Sequence, residues 1–347
     1  MDENIKKILW AGVQAPSGDN SQPWKFKVKD NAILILNLPE KDNPIFNFRG
    51  RGTLVAHGAL IENMVIAASS LGYRSKVDVF PDKEDPGVTA KVIFEKDYPR
   101  HEQLYGAISE RATNRKVYMD KSFTPQQRNR ITGSVKGEGK LILIEDALKK
   151  AIIGKATAVN EIVMLENRQL HDYFFGDIRW TSKDELEKKS GLYLETMELT
   201  PPQKAVFKVL SYWPAARALN SLGIAKFIAR ENSKVYSSGS AMGAITVPDN
   251  DEAFVGVGRL MERIWLEATD MNLSMHLITG VIYLMQGILG GESRYFSDKH
   301  ISIIKEAYED IRTALGVENE TIAMLFRIGY GDKPSARSSR LEPVILN

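Results

Sequence analysis

Two segments of this chain, 200 positions apart, are similar enough to suggest that one helix occurs twice. The segments GALIENMVIAASSLG, from Gly58, and GRLMERIWLEATDMN, from Gly258, carry Gly, Leu, Glu and Ala at equivalent positions. Most of their other apolar positions also coincide. If the match reflects a repeat, the chain consists of two α+β halves that each contribute one central helix. Two unrelated amphipathic helices can match this well by chance, so both explanations stay open.

Length and composition are typical of a globular protein. With 347 residues, 43% of them hydrophobic, the chain is long enough for one large domain or two coupled subdomains. A net charge of +2 gives no reason to expect a nucleic-acid partner. The absence of cysteine excludes disulfides, Cys-ligated zinc, iron–sulfur clusters and a thiol nucleophile. The five histidines show no metal-ligand spacing, so no metal site is predicted.

The ends and apolar runs of the chain bear on its location. The segment MDENIKKILWAG is charged and lacks the apolar core of a signal peptide. The most apolar run, over 277–289, is too short to cross a bilayer and contains Gln286. We therefore expect a cytoplasmic protein without stable membrane insertion.

Apolar spacing and turn residues predict the main elements of secondary structure. Helices are expected over 4–13, 56–71, 148–170 and 256–271, and a hairpin over 25–36. Strands are expected over 76–80, 89–94, 141–144 and 322–328, with an irregular polar stretch over 97–128. Trp24, a large aromatic residue that begins a strand, is expected in the core.

The segment APSGDNSQPW, residues 15–24, places hydroxyl, amide and carboxylate groups on a sharply turning backbone. Pro16 fixes its own φ, and Gly18 permits conformations that other residues avoid. Such a loop can direct several polar groups at one ligand. The alternative is an ordinary surface loop, since these residue types are common in turns.

A second polar segment, RATNRK at residues 111–116, combines two arginines with a hydroxyl group. Guanidinium groups bind phosphate through two hydrogen bonds, and a threonine hydroxyl adds another donor. The alternative is a solvated basic turn.

Together, these segments resemble the nitroreductase superfamily. APSGDNSQPW is similar to its APS-x-x-N-x-QPW signature, and RATNR to its R-x-[ST]-x-R phosphate motif. Their order in one polypeptide resembles the Acg-like FMN-binding oxidoreductases, in which two nitroreductase-like halves are fused. The segment IAMLFRIGYGDKPSARSSR is similar to the closing strand and arginine-bearing tail of that subgroup. Residues 171–235 match least and correspond to a variable insertion.

The resemblance implies an α+β, nitroreductase-like fold with two pseudo-symmetric halves, whose central antiparallel sheets are flanked by helices. The first half would span 1–105, and the second 106–347 with the insertion. The flavin site would lie at their junction, where most nitroreductases use a homodimer interface. A fused pair removes the need for a dimer without forbidding one, so monomer and homodimer stay open.

The resemblance also implies roles for individual residues. The FMN phosphate would be held by Arg111, Thr113 and Arg115, with Arg337 or Arg340 from the tail as a further cation. The rest of the flavin would be lined by Pro16, Ser17, Asn20 and Gln22 from the first half, and by the turn Ser238-Gly239-Ser240 from the second. No side chain is assigned as an acid or base, because the cofactor carries the chemistry.

The implied activity is hydride transfer from NAD(P)H through FMN to an electron-poor small molecule. Two alternatives stay open: a protein that binds or stores FMN without turnover, and an FMN-dependent dehydrogenase or oxidase of a biosynthetic intermediate. The insertion is interpreted as a lid over the flavin or as a packing element anchored to the body. Its segment YWPAARALNSLGIAKFIAR is expected to form an amphipathic basic helix, for which membrane contact is a minor alternative.

Overall fold

The computed structural model of the chain describes residues 2–41, 43–82, 84–85, 87–137 and 139–346. These residues form an α+β fold, which confirms the predicted fold class. The helices are α1 Glu3–Gly12, α2 Arg51–Ser70, α3 Tyr105–Glu110, α4 Pro125–Gly133, α5 Ala147–Thr157, α6 Val159–Glu166, α7 Arg168–Gly176, α8 Ser182–Lys188, α9 Pro201–Leu210, α10 Trp213–Ser221, α11 Ile224–Tyr236, α12 Asp251–Asp270, α13 Gly280–Leu289 and α14 Asp298–Leu315. The strands are β1 Trp24–Lys29, β2 Ala32–Asn37, β3 Tyr73–Val79, β4 Val88–Lys96, β5 Lys140–Ile144, β6 Ile178–Arg179, β7 Leu192–Tyr193, β8 Ala241–Val247, β9 Ser274–Leu277, β10 Thr321–Gly329 and β11 Ile345–Leu346.

A five-stranded sheet, in the order β11-β1-β2-β4-β3, is built mainly from the first hundred residues. The predicted hairpin is confirmed, since β1 and β2 pair antiparallel from Trp24↔Asn37 to Lys29↔Ala32. At its edge, β11 from the C-terminal tail pairs parallel with β1, where Phe26 faces Ile345. This pairing fixes the end of the tail beside the strand that follows the APSGDNSQPW loop.

A four-stranded antiparallel sheet, in the order β5-β8-β10-β9, is formed by the later part of the chain. Strand β8 is buried at every position, and β10 at all but its first. Both faces of these central strands are covered, which explains why AMGAITV lacks the alternation of a half-exposed strand. The same burial makes Arg327 of β10 a fully enclosed cation.

The two repeated segments form helices α2 and α12, which are each 20 residues long and cross each other. A Cβ atom added to Gly58 would lie 2.0 Å from the carbonyl oxygen of Val255, and one added to Gly258 would lie 1.9 Å from that of Val55. The contact is therefore reciprocal under the 200-residue offset, like the self-complementary contact at a twofold axis. Only glycine permits this backbone approach, so the repeated glycine has a structural reason.

Helix α2 also has the length and apolar character of a membrane span. The stretch Phe48–Ser70 passes that test by composition, whereas the sequence had drawn attention only to 277–289. In the fold, 83% of its most apolar window is buried inside the protein. This is the environment of a core helix.

Most predicted elements are confirmed, with shifted ends. Trp24 is buried, as expected. The helix predicted over 256–271 starts earlier, at Asp251, because the side chain of Asn250 caps it by accepting a hydrogen bond from the amide of Ala253. The stretch 97–128, predicted to be irregular, contains the short helix α3 and the beginning of α4.

Two helix predictions were wrong in extent. The single helix predicted over 148–170 is three helices, α5, α6 and α7. The last break falls at Asn167, which has an extended backbone and whose side chain caps α7. The side-chain amide of Asn167 also donates a hydrogen bond to the carbonyl of Tyr295. The basic helix predicted over 212–230 is divided into α10 and α11 at Gly223, which has a φ of 88°.

The region 159–236 forms a helical layer with its own apolar cluster. This cluster includes Phe175, Leu194 and Leu210. Phe175 packs against Phe207 with ring centroids 4.9 Å apart. The predicted insertion is therefore a packed unit, and it forms part of the wall of the cavity described next.

Candidate functional site

A cavity of about 1320 Å³ lies where the early part of the chain, the later part, the 159–236 layer and the C-terminal tail meet. The sequence-predicted residues that line it are Pro16, Ser17, Asn20, Arg111, Thr113, Arg115, Arg337 and Arg340. The structure thus brings together two separate motifs and a tail that follows the second motif by more than 200 positions.

The loop after α1 holds an unusual backbone. Three of its non-glycine residues have left-handed conformations: Asp19 at φ 46°, Asn20 at φ 56° and Gln22 at φ 53°. Such conformations cost free energy and persist where surrounding contacts enforce them, which occurs most often at ligand sites. Ser17 stabilises the turn by accepting a hydrogen bond from the amide of Gln22 at 2.9 Å.

The loop is fastened to the C-terminal tail and to the 159–236 layer. The side chain of Asn20 accepts a hydrogen bond from Arg340 at 2.9 Å and donates to the carbonyl of Ser339 at 3.2 Å. The side chain of Gln22 accepts from the amide of Leu341 at 2.8 Å and donates to the carbonyl of Lys189 at 2.6 Å. Gln22 therefore lies behind the cavity wall and positions it, although the resemblance implied a lining role.

Arg111 is almost fully buried and has protein partners on several sides. Its Nε lies 3.1 Å from a carboxylate oxygen of Glu262, and its Nη2 donates to the carbonyl of Gln14 at 2.7 Å. Its guanidinium also lies over the ring of Trp265, 4.5 Å from the centroid. The ion pair with Glu262 therefore ties Arg111 to α12, and its hydrogen bond to Gln14 ties it to the residues that follow α1.

The tail adds two guanidinium groups beside Arg111. Arg337 donates to the backbone carbonyl of Arg111 at 2.7 Å. Burial, together with the like charges of Arg111 and Arg337, lowers the pKa of Arg340 to about 9. The Nε of Arg340 is buried and has no hydrogen-bond partner among the described residues. Three gathered cations with a buried unpaired donor form a site suited to an anion.

Arg115 and Thr113 line the cavity farther along the same segment. Arg115 donates to the carbonyl of Thr196 at 3.0 Å, which ties this segment to the 159–236 layer. Burial lowers the pKa of Arg115 and, with the nearby charge of Asp177, raises the pKa of Asp19 to about 6. Thr113 makes an isolated parallel bridge with Met275, so β9 fixes its backbone.

Ser238 and Gly239 are not among the residues that line the cavity, in contrast to the position that the resemblance implied. The hydroxyl of Ser238 accepts hydrogen bonds from Arg327 at 2.8 Å and from the amide of Tyr118 at 3.0 Å. The carbonyl of Gly239 accepts from Lys150 at 2.6 Å. The adjacent Ser240 is buried and donates to the carbonyl of Lys121 at 2.5 Å. These bonds draw the turn into a buried network.

Arg327 is the centre of that network. It donates to the carbonyls of Val235 at 2.9 Å and Lys116 at 2.8 Å, and its guanidinium lies 3.9 Å from the ring centroid of Tyr118. Arg327 therefore ties the RATNRK segment to the end of α11 from below the cavity. The sequence offered no signal for this role, because an arginine in an apolar strand is normally expected at an edge.

Several cavity residues were not singled out from the sequence. Glu161 on α6 accepts hydrogen bonds from the hydroxyl of Tyr236 and from Asn232, the latter at 3.2 Å. His276 of β9 lies 5.9 Å from the ring of Tyr236 and accepts from Arg327 at 3.3 Å. Burial and the cations Arg327 and Arg115 lower the pKa of His276 well below its ordinary value, so it is neutral.

In the part of the chain that the structure describes, no group of three or more His, Cys, Asp or Glu side chains is arranged to hold a metal ion. The polar groups of the cavity include guanidinium donors near the tail and carboxylate or amide acceptors on α6.

Comparison with known proteins adds relatives by sequence. No protein-family model matches the chain. An uncharacterized protein of Mycobacterium tuberculosis (strain CDC 1551 / Oshkosh) is 24% identical over 340 residues, covering 96% of this chain and 46% of that protein. A protein of Mycobacterium tuberculosis (strain ATCC 25618 / H37Rv), provisionally named an NAD(P)H nitroreductase, is 30% identical over 118 residues, covering 33% and 34%. A third relative from that strain, named acg with the same provisional activity, is 29% identical over 92 residues, covering 26% and 27%.

In these matched regions the chain is similar to mycobacterial proteins provisionally named NAD(P)H nitroreductases. The matched region spans less than half the length of each of these curated relatives.

Among solved structures, a protein of Anabaena variabilis ATCC 29413 provisionally named a nitroreductase matches with a TM-score of 0.41 and 11% identity, covering 87% of this chain and 69% of that one. The FMN-dependent nitroreductase of Mycobacterium smegmatis in complex with NADPH matches with a TM-score of 0.36 and 11% identity, covering 66% and 88%.

Proposed function

We propose that this chain is an FMN-dependent oxidoreductase that passes hydride from NAD(P)H to an electron-poor small molecule. The observation that supports it most strongly is the gathering of Arg111, Arg337 and Arg340 at one wall of a large cavity, with the buried Nε of Arg340 unpaired. A phosphate monoester would pair with this donor and offset the mutual repulsion of the three cations. The residues present therefore fit the phosphate of FMN.

The chain's own residues would act by holding and orienting the cofactor. Arg340 and Arg337 would bind the phosphate, and Arg111 would add its charge while fixed by Glu262. Pro16, Ser17 and Asn20 would border the rest of the molecule, with Thr113 and Arg115 on the opposite motif. Bound FMN would supply hydride acceptance and donation. Arg115 would add positive charge to the cavity wall, which favours the negative charge of a reduced flavin.

The first experiment is the visible absorption spectrum of the purified protein, followed by anaerobic additions of NADPH and NADH. We expect a flavin spectrum that bleaches on addition of one of these donors. A flavin spectrum that persists with both would contradict nicotinamide-dependent turnover. A protein without flavin that takes up no added FMN would contradict the cofactor assignment.

The phosphate site is tested by FMN content. We expect Arg340→Gln to weaken FMN retention by about 10-fold or more, because a buried charge-assisted hydrogen bond contributes about 1.5–3 kcal/mol. Arg337→Gln is a second variant at a less enclosed position. The matched control is Arg74→Gln, which removes an exposed arginine of β3 that pairs with Glu95 of β4. Equal flavin content in all four proteins would exclude the arginine cluster as the phosphate site.

One observation favours the storage alternative as a second candidate. The 159–236 layer is bonded to the cavity-lining loop through Lys189 and to the tail through Glu198, which accepts from the amide of Ser335 at 2.6 Å. A layer that stayed closed would keep a nicotinamide from the flavin. Flavin that is bound but not reduced by either donor would support this alternative, whereas reduction by a substrate alone would indicate a dehydrogenase or oxidase.

A further inference from the structure

Two places in the cavity wall carry polar atoms of opposite hydrogen-bonding character that have no partner among the described residues. Near the tail, the Nε donor of Arg340 has no hydrogen-bond partner among the described residues. On helix α6 the unpaired groups are acceptors: Oε2 of Glu161 and Oδ1 of its neighbour Asn160, both buried. Both residues line the cavity. A ligand that satisfies α6 must therefore donate hydrogen bonds, unlike the anion expected beside the arginines.

The carboxyl group of Glu161 is held in place by hydrogen bonds but has no cationic partner within the described part of the chain. Tyr236 and Asn232 both donate to its Oε1, which fixes the group and leaves Oε2 for another donor. No lysine or arginine among the described residues lies within ion-pair distance of Glu161. Burial raises the pKa of Glu161 to about 7, against the opposing effect of its two hydrogen bonds. A cation placed at Oε2 would restore the charged form.

Apolar side chains line part of this cavity as well. Met164 and Leu165 continue α6, while Phe174 and Phe207 approach from α7 and α9 with ring centroids 6.0 Å apart. An apolar wall with one fixed carboxylate is suited to a ligand with an apolar body and a single positive group.

We propose that the α6 side of this cavity binds the ammonium group of a small amine whose body is apolar or aromatic. The ammonium group donates to Oε2 of Glu161, and the body packs against Phe174 and Phe207. This inference rests on the proposed function, because the amine would be a substrate only if the same cavity binds FMN. Glu161 is then a specificity-determining residue.

The test compares two ligands that differ only in the group of interest, 2-phenylethylamine and its neutral counterpart 2-phenylethanol. Binding to the full FMN-loaded chain is measured by titration calorimetry. We expect the wild-type protein to bind the amine about 10-fold more tightly or better, in line with a charge-assisted hydrogen bond. Glu161→Gln, which keeps the size of the side chain, should abolish that preference without changing FMN content.

The matched control is Glu309→Gln on α14, whose exposed carboxylate lies 3.3 Å from Arg312 and which does not line the cavity. It should retain the preference for the amine. Equal binding of amine and alcohol by the wild type, or a preference that survives in Glu161→Gln, would overturn the proposal. If the protein takes up no FMN, the proposed function fails, and the same titrations on the flavin-free chain still decide the role of Glu161.

Discussion

His57 shows how one buried side chain connects the central helix to the cavity loop. It lies on α2 with no exposed surface, its Nε2 donates to the carbonyl of Pro23 at 2.9 Å, and its Nδ1 accepts from the hydroxyl of Thr89 at 2.8 Å. Burial lowers its pKa from 6.5 to about 4 in the folded protein. The neutral ring is therefore part of what holds the end of the APSGDNSQPW loop.

This pKa shift predicts a loss of stability in acid. Above pH 6.5 the His57 ring is mostly neutral in both the folded and the unfolded state. As the pH falls from 6.5 to 4, the ring becomes protonated in the unfolded chain but stays mostly neutral in the folded protein. The free energy of unfolding should fall by about 3 kcal/mol over that window on account of His57. Urea denaturation at pH 7 and pH 4.5 measures it.

Two variants isolate the contribution of His57. His57→Gln removes the titrating group, so its stability should depend less on pH than that of the wild type. His101→Gln, at an exposed position, should behave as the wild type does. An unchanged pH dependence in His57→Gln would show that other groups cause the loss.

Prediction from sequence at this scale depended on motifs. Arg111 and Arg115 were found because two arginines around a hydroxyl group indicate an oxyanion site, and Asn20 was found because its segment resembles a nitroreductase signature. The structure places all three at one cavity. Glu161 was missed because its helix has ordinary amphipathic spacing. Its importance comes from burial beside Tyr236, a contact between residues 75 positions apart.

At the scale of elements, the crossing of α2 and α12 makes a sharp prediction. Gly258→Ala should destabilise the protein by about 1–3 kcal/mol or more, because the new methyl group would lie 1.9 Å from the carbonyl oxygen of Val55 and the helices would have to separate. Thermal unfolding followed by circular dichroism measures the effect.

Gly256→Ala on the same helix is the matched control. A Cβ atom there meets no atom within 4 Å, and alanine is the better helix former by about 0.5–1 kcal/mol. The control should therefore be at least as stable as the wild type. Similar stabilities for the two variants would mean that the helices do not cross at Gly258.

Elements were predictable where periodicity was strong and local. The repeated helices were located from sequence, but their contact with each other was not predicted, since it depends on chain topology. The predicted helix over 148–170 failed because apolar spacing continues through Ala158 and Asn167, where the backbone breaks. A break made by one cap and a distant carbonyl leaves little trace in periodicity.

For the whole molecule, an occupant of the cavity should stabilise the fold broadly, because the loop, the RATNRK segment, the 159–236 layer and the tail all line it. FMN at 100 times its dissociation constant should add about 2.7 kcal/mol to the free energy of unfolding. Thermal denaturation with and without added FMN measures the gain. Riboflavin, which lacks the phosphate, is the control and should stabilise less at equal concentration. Equal stabilisation by both would argue against the arginine cluster as a phosphate site.

The reciprocal glycine contact has a consequence for how this protein can evolve. In a symmetric pair of identical subunits, every substitution occurs twice, and both copies of a site must change together. Here the two sides of the crossing are encoded separately, and they already differ: Glu62 pairs with Arg259 and Arg263, while its counterpart Glu262 pairs with Arg111. Substitutions or insertions near one of the two helices can therefore change the cavity, while the other helix keeps the residues that the crossing requires.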